Sequence, residues 1–243
     1  MPFCLVALSV SFLLGSIPWG VIISRIFYHD DIREHGSGNI GATNAFRTMG
    51  TAGGVAVFSL DFLKGLVSAY IVLALAVMVS LDINYMATSA ILSGEEPYSV
   101  FGVKLVDSLS IQRANTHVFG LFIGIGLLGS MLGHVFSPWL RFKGGKGIAV
   151  AAGFVFVGFG WPCFLVLLAV FSLVTVITRY VSAGSLSAAA LAPFLAYFAL
   201  QGEWVLIVLT LLAALLVVWA HRGNIARLRS GNENRIGAKK EAG

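Results

Sequence analysis

Long apolar runs separated by short polar segments make up this chain. The runs lie at residues 3–26, 53–81, 118–140, 147–178 and 183–220. Each is long enough to cross a hydrocarbon layer of about 30 Å as a helix rising about 1.5 Å per residue. Two runs are too long for one straight span. Residues 147–178 carry Gly158, Gly160 and Pro162 near their middle, a combination that breaks a helix. Residues 183–220 are interrupted by Gln201, Gly202 and Glu203. Splitting both predicts an all-α integral membrane protein, a seven-helix transmembrane bundle. Its fourth and fifth helices are short, about 14–16 residues each, so that one is tilted or only partly spanning.

Composition supports the membrane reading. Of 243 residues, 58% are hydrophobic and 11% charged, whereas soluble domains carry roughly 25% charged residues. A disordered chain would be poor in apolar residues. A nucleic-acid-binding module would concentrate its positive charge rather than dilute +5 over a greasy chain. No basic residue precedes the first apolar run and no small-residue cleavage site follows it, so that run is expected to be a retained span. Cys4 and Cys163 show no metal-ligand spacing and read as inert thiols.

Charge placement orients the bundle. With the N-terminus outside and the C-terminus in the cytoplasm, the inner segments are 24–52, 141–146, 179–184 and 221–243. They hold 13 of the 16 basic residues, including Arg222, Arg227, Arg229, Arg235, Lys239 and Lys240 in the tail. Left whole, residues 147–178 would place Arg179 and that tail outside. Asp61 and Lys64, within the second span, share a helix face and are expected to neutralise each other.

The inner segments are richer than connectors need to be. Residues 36–47 read GSGNIGATNAFR. Gly36, Gly38 and Gly41 fit a dinucleotide fingerprint literally, but no strand precedes them and no βαβ unit can follow. The physics of the motif still applies. Glycines let backbone N–H groups approach an anion, Ser37, Asn39, Thr43 and Asn44 add neutral donors, and Arg47 adds a fork for phosphate. Residues 133–147 read GHVFSPWLRFKGGKG. Leu140 and Gly147 stand where a Walker loop needs glycine and a hydroxyl. Lys143, Gly144, Gly145 and Lys146 still place two cations beside glycines before a helix start. Arg179 and the nearby serines read as orientation and capping. His221 and Asn224 share a face if the last helix continues through them. No metal cluster or nucleophile triad is recognisable. The residues describe an inward-facing pocket for phosphorylated, lipid-linked molecules.

At these positions the sequence resembles the bacterial membrane glycerol-3-phosphate acyltransferases that use acyl phosphate, the PlsY family. The resemblance is carried by Gly15 to Gly20, Ser37 to Arg47, Asp61 to Gly65, Gly133 to Gly147, Thr178 to Ser182 and His221 to Ile225, in order and spacing. It implies a single membrane domain over 1–243 in the bacterial plasma (inner) membrane, with its active site facing the cytoplasm. It implies transfer of a fatty acyl group from acyl phosphate to the 1-hydroxyl of sn-glycerol 3-phosphate. The products are lysophosphatidic acid and phosphate, the first acylation of phospholipid synthesis. No cofactor, metal, nucleic acid or protein partner is expected, and the surrounding lipid is the remaining contact. Ser37, Arg47, Lys146 and His221 are assigned to catalysis. Gly38, Asn39, Thr43, Asn44, Lys143, Gly144, Gly145, Ser182, Ser185 and Asn224 are assigned to substrate and phosphate binding. Residues 82–118 depart from the family pattern, which has a short turn there, and are expected to form an extracytoplasmic insertion. The alternative is a transporter of organic phosphates, whose site would lie near the membrane midplane between internal repeats. No convincing repeat is present.

Overall fold

A computed structural model describes residues 2–94 and 96–237. Glu95 and the tail charges Lys239, Lys240 and Glu241 lie outside the described residues. The first apolar run is broken: α1 (Pro2–Ser16) ends before Ile17-Pro18, and α2 (Trp19–Phe27) restarts beyond them. Proline disfavours helical backbone at the residue before it and cannot donate into the turn. A short helix, α3 (Ala42–Thr48), follows the first glycine loop.

The second and third runs form α4 (Gly50–Ser93) and α5 (Ser108–Val135). These helices absorb most of residues 82–118, which the sequence pattern had placed between spans. Small and apolar residues keep the pairing going: Ile83, Ala87 and Ala90 of α4 and Ala114 and Val118 of α5 are all buried. Asn115 Nδ2 also donates to Asn84 Oδ1 at 2.9 Å. Among the described residues of this stretch, only Gly94 and residues 96–107 leave the helices. They contain the two-residue antiparallel strands β1 (Ser99–Val100) and β2 (Val103–Lys104). Gly94, left-handed at φ 68°, stops α4, and an Asp107–Ser110 capping box starts α5. At 44 residues α4 is about 66 Å long, well beyond a hydrocarbon core.

The fourth run breaks where expected, at Phe159-Gly160, with Gly160 at φ 84°. The halves are unequal, which corrects the expectation of two short helices. α6 (Ile148–Gly158) has 11 residues and α7 (Trp161–Thr178) has 18. The break falls inside the glycine–proline cluster, which lies nearer the start of the run than its end, so α7 keeps a full span while α6, about 16 Å long, cannot cross alone. The last run divides at Gln201–Glu203 into α8 (Val181–Ala199) and α9 (Trp204–Ala220). The chain then bends by 57° into α10 (Arg222–Arg229) rather than continuing straight. Among the described residues, five helical segments are long and apolar enough to span a membrane, or six when α9 and α10 count as one span.

The bundle closes through backbone-to-backbone contacts at glycine. A Cβ on Gly153 of α6 would overlap the Phe62 carbonyl of α4, and one on Gly65 would overlap the Val150 carbonyl. Gly15 of α1 and Gly133 of α5 meet Ser130 and Phe12 in the same way. Small residues give membrane helices this close approach. Gly153→Ala is expected to cost at least the roughly 1–3 kcal/mol of overpacking, since neither backbone can yield locally. A detergent thermal-unfolding midpoint equal to wild type would contradict this.

Candidate active site

The first glycine loop is shaped by Asn44, which is buried at the start of α3. Its Nδ2 donates to the carbonyls of Ile32 (3.1 Å) and His35 (3.0 Å), and its Oδ1 accepts the Ser37 N–H at 2.8 Å. Asn39 Oδ1 accepts the Gly41 N–H at 2.9 Å. Asn44, expected as a free donor for a ligand, is thus spent on the loop, whereas Asn39 spends only its carbonyl oxygen there. Gly36 and Gly38 take positive φ, 59° and 68°, which completes its turns. The product of this bracing is a fixed presentation of Ser37, Thr43 and Arg47 toward one cavity.

The second loop is held from behind. Gly144 N–H donates to the Val135 carbonyl and Gly145 N–H to the His134 carbonyl, both at 3.0 Å. A Cβ on Gly144 would strike the His134 carbonyl, and one on Gly145 the His134 ring. These glycines serve close packing on α5 rather than direct contact with an anion. Behind them sits a buried network. Lys64 Nζ lies 2.7 Å from Asp61 Oδ1 and 3.0 Å from His134 Nδ1, and it donates to the Ile17 carbonyl at 2.8 Å. The expected Asp61–Lys64 pair is therefore real. One ammonium joins α4, α5 and the break between α1 and α2.

The cavity, of about 150 Å³, lies where these pieces meet the starts of α6, α8 and α10. Ser37, Asn39, Thr43, Asn44, Arg47, Lys146, Ser182, Ser185, His221 and Asn224 all line it. Gly38, Lys143, Gly144 and Gly145 do not. Lys143 and Gly38 instead border a separate basic pocket with Arg25, Arg33 and Arg141. The reason is local: Arg141 and Phe142 both adopt left-handed backbone, φ 51° and 62°, so the chain turns over between Leu140 and Lys143. Only the second lysine of the loop faces the cavity.

Sequence reading missed Arg227 and Glu233. The Glu233 carboxylate is buried and accepts from Asn224 Nδ2 (2.6 Å), Arg227 Nε (2.8 Å) and Ser182 Oγ (3.0 Å). Burial alone would raise its pKa, but the hydrogen bonds from Asn224, Arg227 and Ser182 outweigh that and hold it below the usual carboxylate range. It was legible only as a lone acid amid the basic tail residues Arg229 and Arg235. Asp61 and His134 also reach the cavity wall.

Electrostatically the cavity gathers Arg47, Lys146 and Arg227 against Glu233 and Asp61. Burial pushes the Lys146 ammonium down to about 8; Glu233 opposes this, and Arg227 and Arg47 add to it. Burial likewise lowers the pKa of Arg47, partly offset by Glu233. The start of α6 adds its unpaired N–H groups. His221 is buried, with Nδ1 2.9 Å from the Val217 carbonyl. Since a carbonyl only accepts, Nδ1 carries the hydrogen and Nε2 of the neutral ring is left with a lone pair.

A second, apolar cavity of about 210 Å³ adjoins the first. Phe58, Ile148, Ala149, Phe171 and Ser185 line both. It runs between α6, α7, α8 and α9, past Ala152, Val155, Leu168, Ala192 and Ala213. A polar, cationic chamber thus adjoins a greasy one, an arrangement suited to a molecule with a charged head and an alkyl chain. Cys4 and Cys163 are free thiols outside both. Among the described residues there is no group of three or more metal-ligating side chains.

Comparison with known proteins gives one consistent answer. The family model described as glycerol-3-phosphate acyltransferase matches residues 5–231. A glycerol-3-phosphate acyltransferase of Rhodopseudomonas palustris is 38% identical, covering 96% of each chain. One from Listeria monocytogenes is 35% identical, covering 97% of this chain and 98% of the relative. The crystal structure of PlsY (YgiH), an integral membrane glycerol 3-phosphate acyltransferase, in its glycerol 3-phosphate form superposes with a TM-score of 0.70 at 32% identity over 96% of both chains. Its lysophosphatidic acid form gives 0.68 over 96% of this chain and 95% of that one. The match over residues 5–231, in a fold that assembles the two glycine loops around one cationic cavity, shows that this chain belongs to the glycerol-3-phosphate acyltransferase (PlsY) family of integral membrane proteins.

Proposed function

We propose that the protein transfers a fatty acyl group from acyl phosphate to the 1-hydroxyl of sn-glycerol 3-phosphate, giving lysophosphatidic acid and phosphate. One observation carries the reading: the cationic chamber and the alkyl-sized chamber share a wall. Acyl phosphate would place its chain among α6 to α9 and its phosphate among Ser37, Arg47 and Lys146. Glycerol 3-phosphate would sit in the same polar chamber, beside Asn224 and Ser182. Two anions held this close repel, so Arg47, Lys146 and Arg227 do the work of bringing them into near-attack contact.

The hydroxyl oxygen attacks the acyl carbonyl carbon, the carbon–oxygen bond to phosphate breaks, and phosphate leaves with the bond's electrons. An acyl phosphate is already activated, so a covalent enzyme intermediate is unnecessary. Cations and helix-terminal N–H groups stabilise the departing charge. The hydroxyl proton needs an acceptor within hydrogen-bond reach, and His221 Nε2 and a phosphate oxygen both qualify chemically.

The inner segments hold most of the basic residues, so the proposal places the cavity on the cytoplasmic side of a bacterial plasma membrane, with the N-terminus and the hairpin between α4 and α5 on the opposite side. Purified protein in detergent is expected to form lysophosphatidic acid from long-chain acyl phosphate and glycerol 3-phosphate without added metal, and to refuse acyl-CoA. Equal rates with acyl-CoA, or no turnover with fresh acyl phosphate, would overturn it.

A further inference from the structure

The basic pocket that takes Lys143 away from the catalytic cavity is itself a built feature. Arg25, Arg33, Arg141 and Lys143 line it, with Gly38 and Trp139. Asp31 partly neutralises the first two, at 2.9 Å from Arg25 and 2.6 Å from Arg33. Among the described residues, the side chains of Arg141 and Lys143 make no hydrogen bond or ion pair, although their backbone N–H groups donate to the Pro138 and Leu140 carbonyls. The pocket therefore keeps a net positive charge that the protein does not consume.

Trp139 connects this pocket to a different environment. Its Nε1 donates to Ser16 Oγ at 2.9 Å, which fixes the indole at the break between α1 and α2. The ring is 67% exposed and borders both the basic pocket and an apolar groove made by Leu13, Ile17, Pro18 and Ile22. That groove exists because Pro18 interrupts the helix and leaves a notch on its outer face. α1 packs on α4 and α5 and α2 packs on α4, which leaves the notch on the outer side of the bundle, where lipid would lie. A cationic pocket at the level of the charged loops, continuous across an interfacial tryptophan with an apolar groove running into the membrane, has the form of a lipid site.

We propose that this face binds one anionic phospholipid of the surrounding leaflet, its phosphate held by Arg141, Lys143 and the Arg25–Arg33 pair and one acyl chain lying in the Pro18 notch. The charge selects an anionic over a zwitterionic headgroup, and the notch selects a lipid over a soluble phosphate. The site is distinct from the catalytic cavity: Gly38 lines one, while its neighbours Ser37 and Asn39 line the other. A headgroup there would rest on the back of the loop that presents Ser37.

The test needs no turnover, so it stands apart from the acyl-transfer assignment. The full chain is placed in phosphatidylcholine nanodiscs containing a small fraction of lipid brominated on its acyl chain, either phosphatidylglycerol or phosphatidylcholine. Quenching of Trp139 is read as the difference between wild type and Trp139→Phe. The expected result is stronger quenching by the brominated anionic lipid, a preference on the order of tenfold in affinity for the pocket's cations acting together. That preference should fall with added salt and vanish in the Arg141→Gln, Lys143→Gln double variant, whose helix content by circular dichroism reports whether it is folded. Equal quenching by the two lipids, a preference indifferent to salt, or one that persists in the folded double variant would overturn the proposal.

Discussion

Lys64→Ala is expected to destabilise the protein by about 3–5 kcal/mol, the cost of leaving a buried charge without its partner. Asp61 would keep a carboxylate with no cation, and His134 Nδ1 and the Ile17 carbonyl would both lose a donor. Thermal inactivation in detergent reads this directly. The double variant Asp61→Asn, Lys64→Met separates charge from shape, since a neutral pair of similar volume often recovers most of such a loss. A Lys64→Ala protein within about 1 kcal/mol of wild type would mean that water or lipid headgroups reach Asp61. The effect should also reach the site, because His134 supports Gly144 and Gly145 and through them the position of Lys146.

Lys146→Ala and Ser37→Ala are expected to leave the fold intact and lower turnover at least tenfold, about 1.4 kcal/mol of barrier each. Lys146 also predicts a pH dependence. Its pKa, lowered by burial to about 8, means that the free enzyme carries this charge at neutral pH and loses it as pH rises through about 8. The apparent kcat/KM for glycerol 3-phosphate reports the free enzyme, so it should decline above that pH. Lys146→Arg keeps its charge at higher pH and should move the decline upward, at whatever basal rate it retains. An unshifted limb would assign the titration to another group. Unchanged turnover in both alanine variants would place the chemistry elsewhere.

The membrane class and the breaks at Gly160 and Gln201–Glu203 were legible in the sequence. Apolar run length, glycine, proline and interruption by polar residues are local properties, and they act on the backbone where they stand. The length of α4 was not. Residues 82–93 carry Asp82 and Asn84 among small and apolar residues, a pattern that reads as the end of a span. They remain helical because Ile83, Ala87 and Ala90 find α5 to pack against. That partner is a tertiary fact.

The site divides the same way. Ser37, Arg47, Lys146, His221 and Asn224 could be picked out because small residues, amides and cations crowd segments that a connector would leave plain, and all five face one cavity. Their sequence did not reveal which neighbours are spent on architecture. Asn44 hydrogen-bonds its own loop, Gly144 and Gly145 pack on His134, and Lys143 turns away because two consecutive residues adopt left-handed backbone. Glu233 becomes part of the site only when the tail folds back onto Ser182, Asn224 and Arg227. By itself the sequence determined the solvent the chain lives in and the chemical types available to bind phosphate, because hydrophobicity and functional groups belong to residues. Direction, distance and which donors remain free belong to the packed arrangement, so only the tertiary structure decided which of those residues meet, and which hold the others in place.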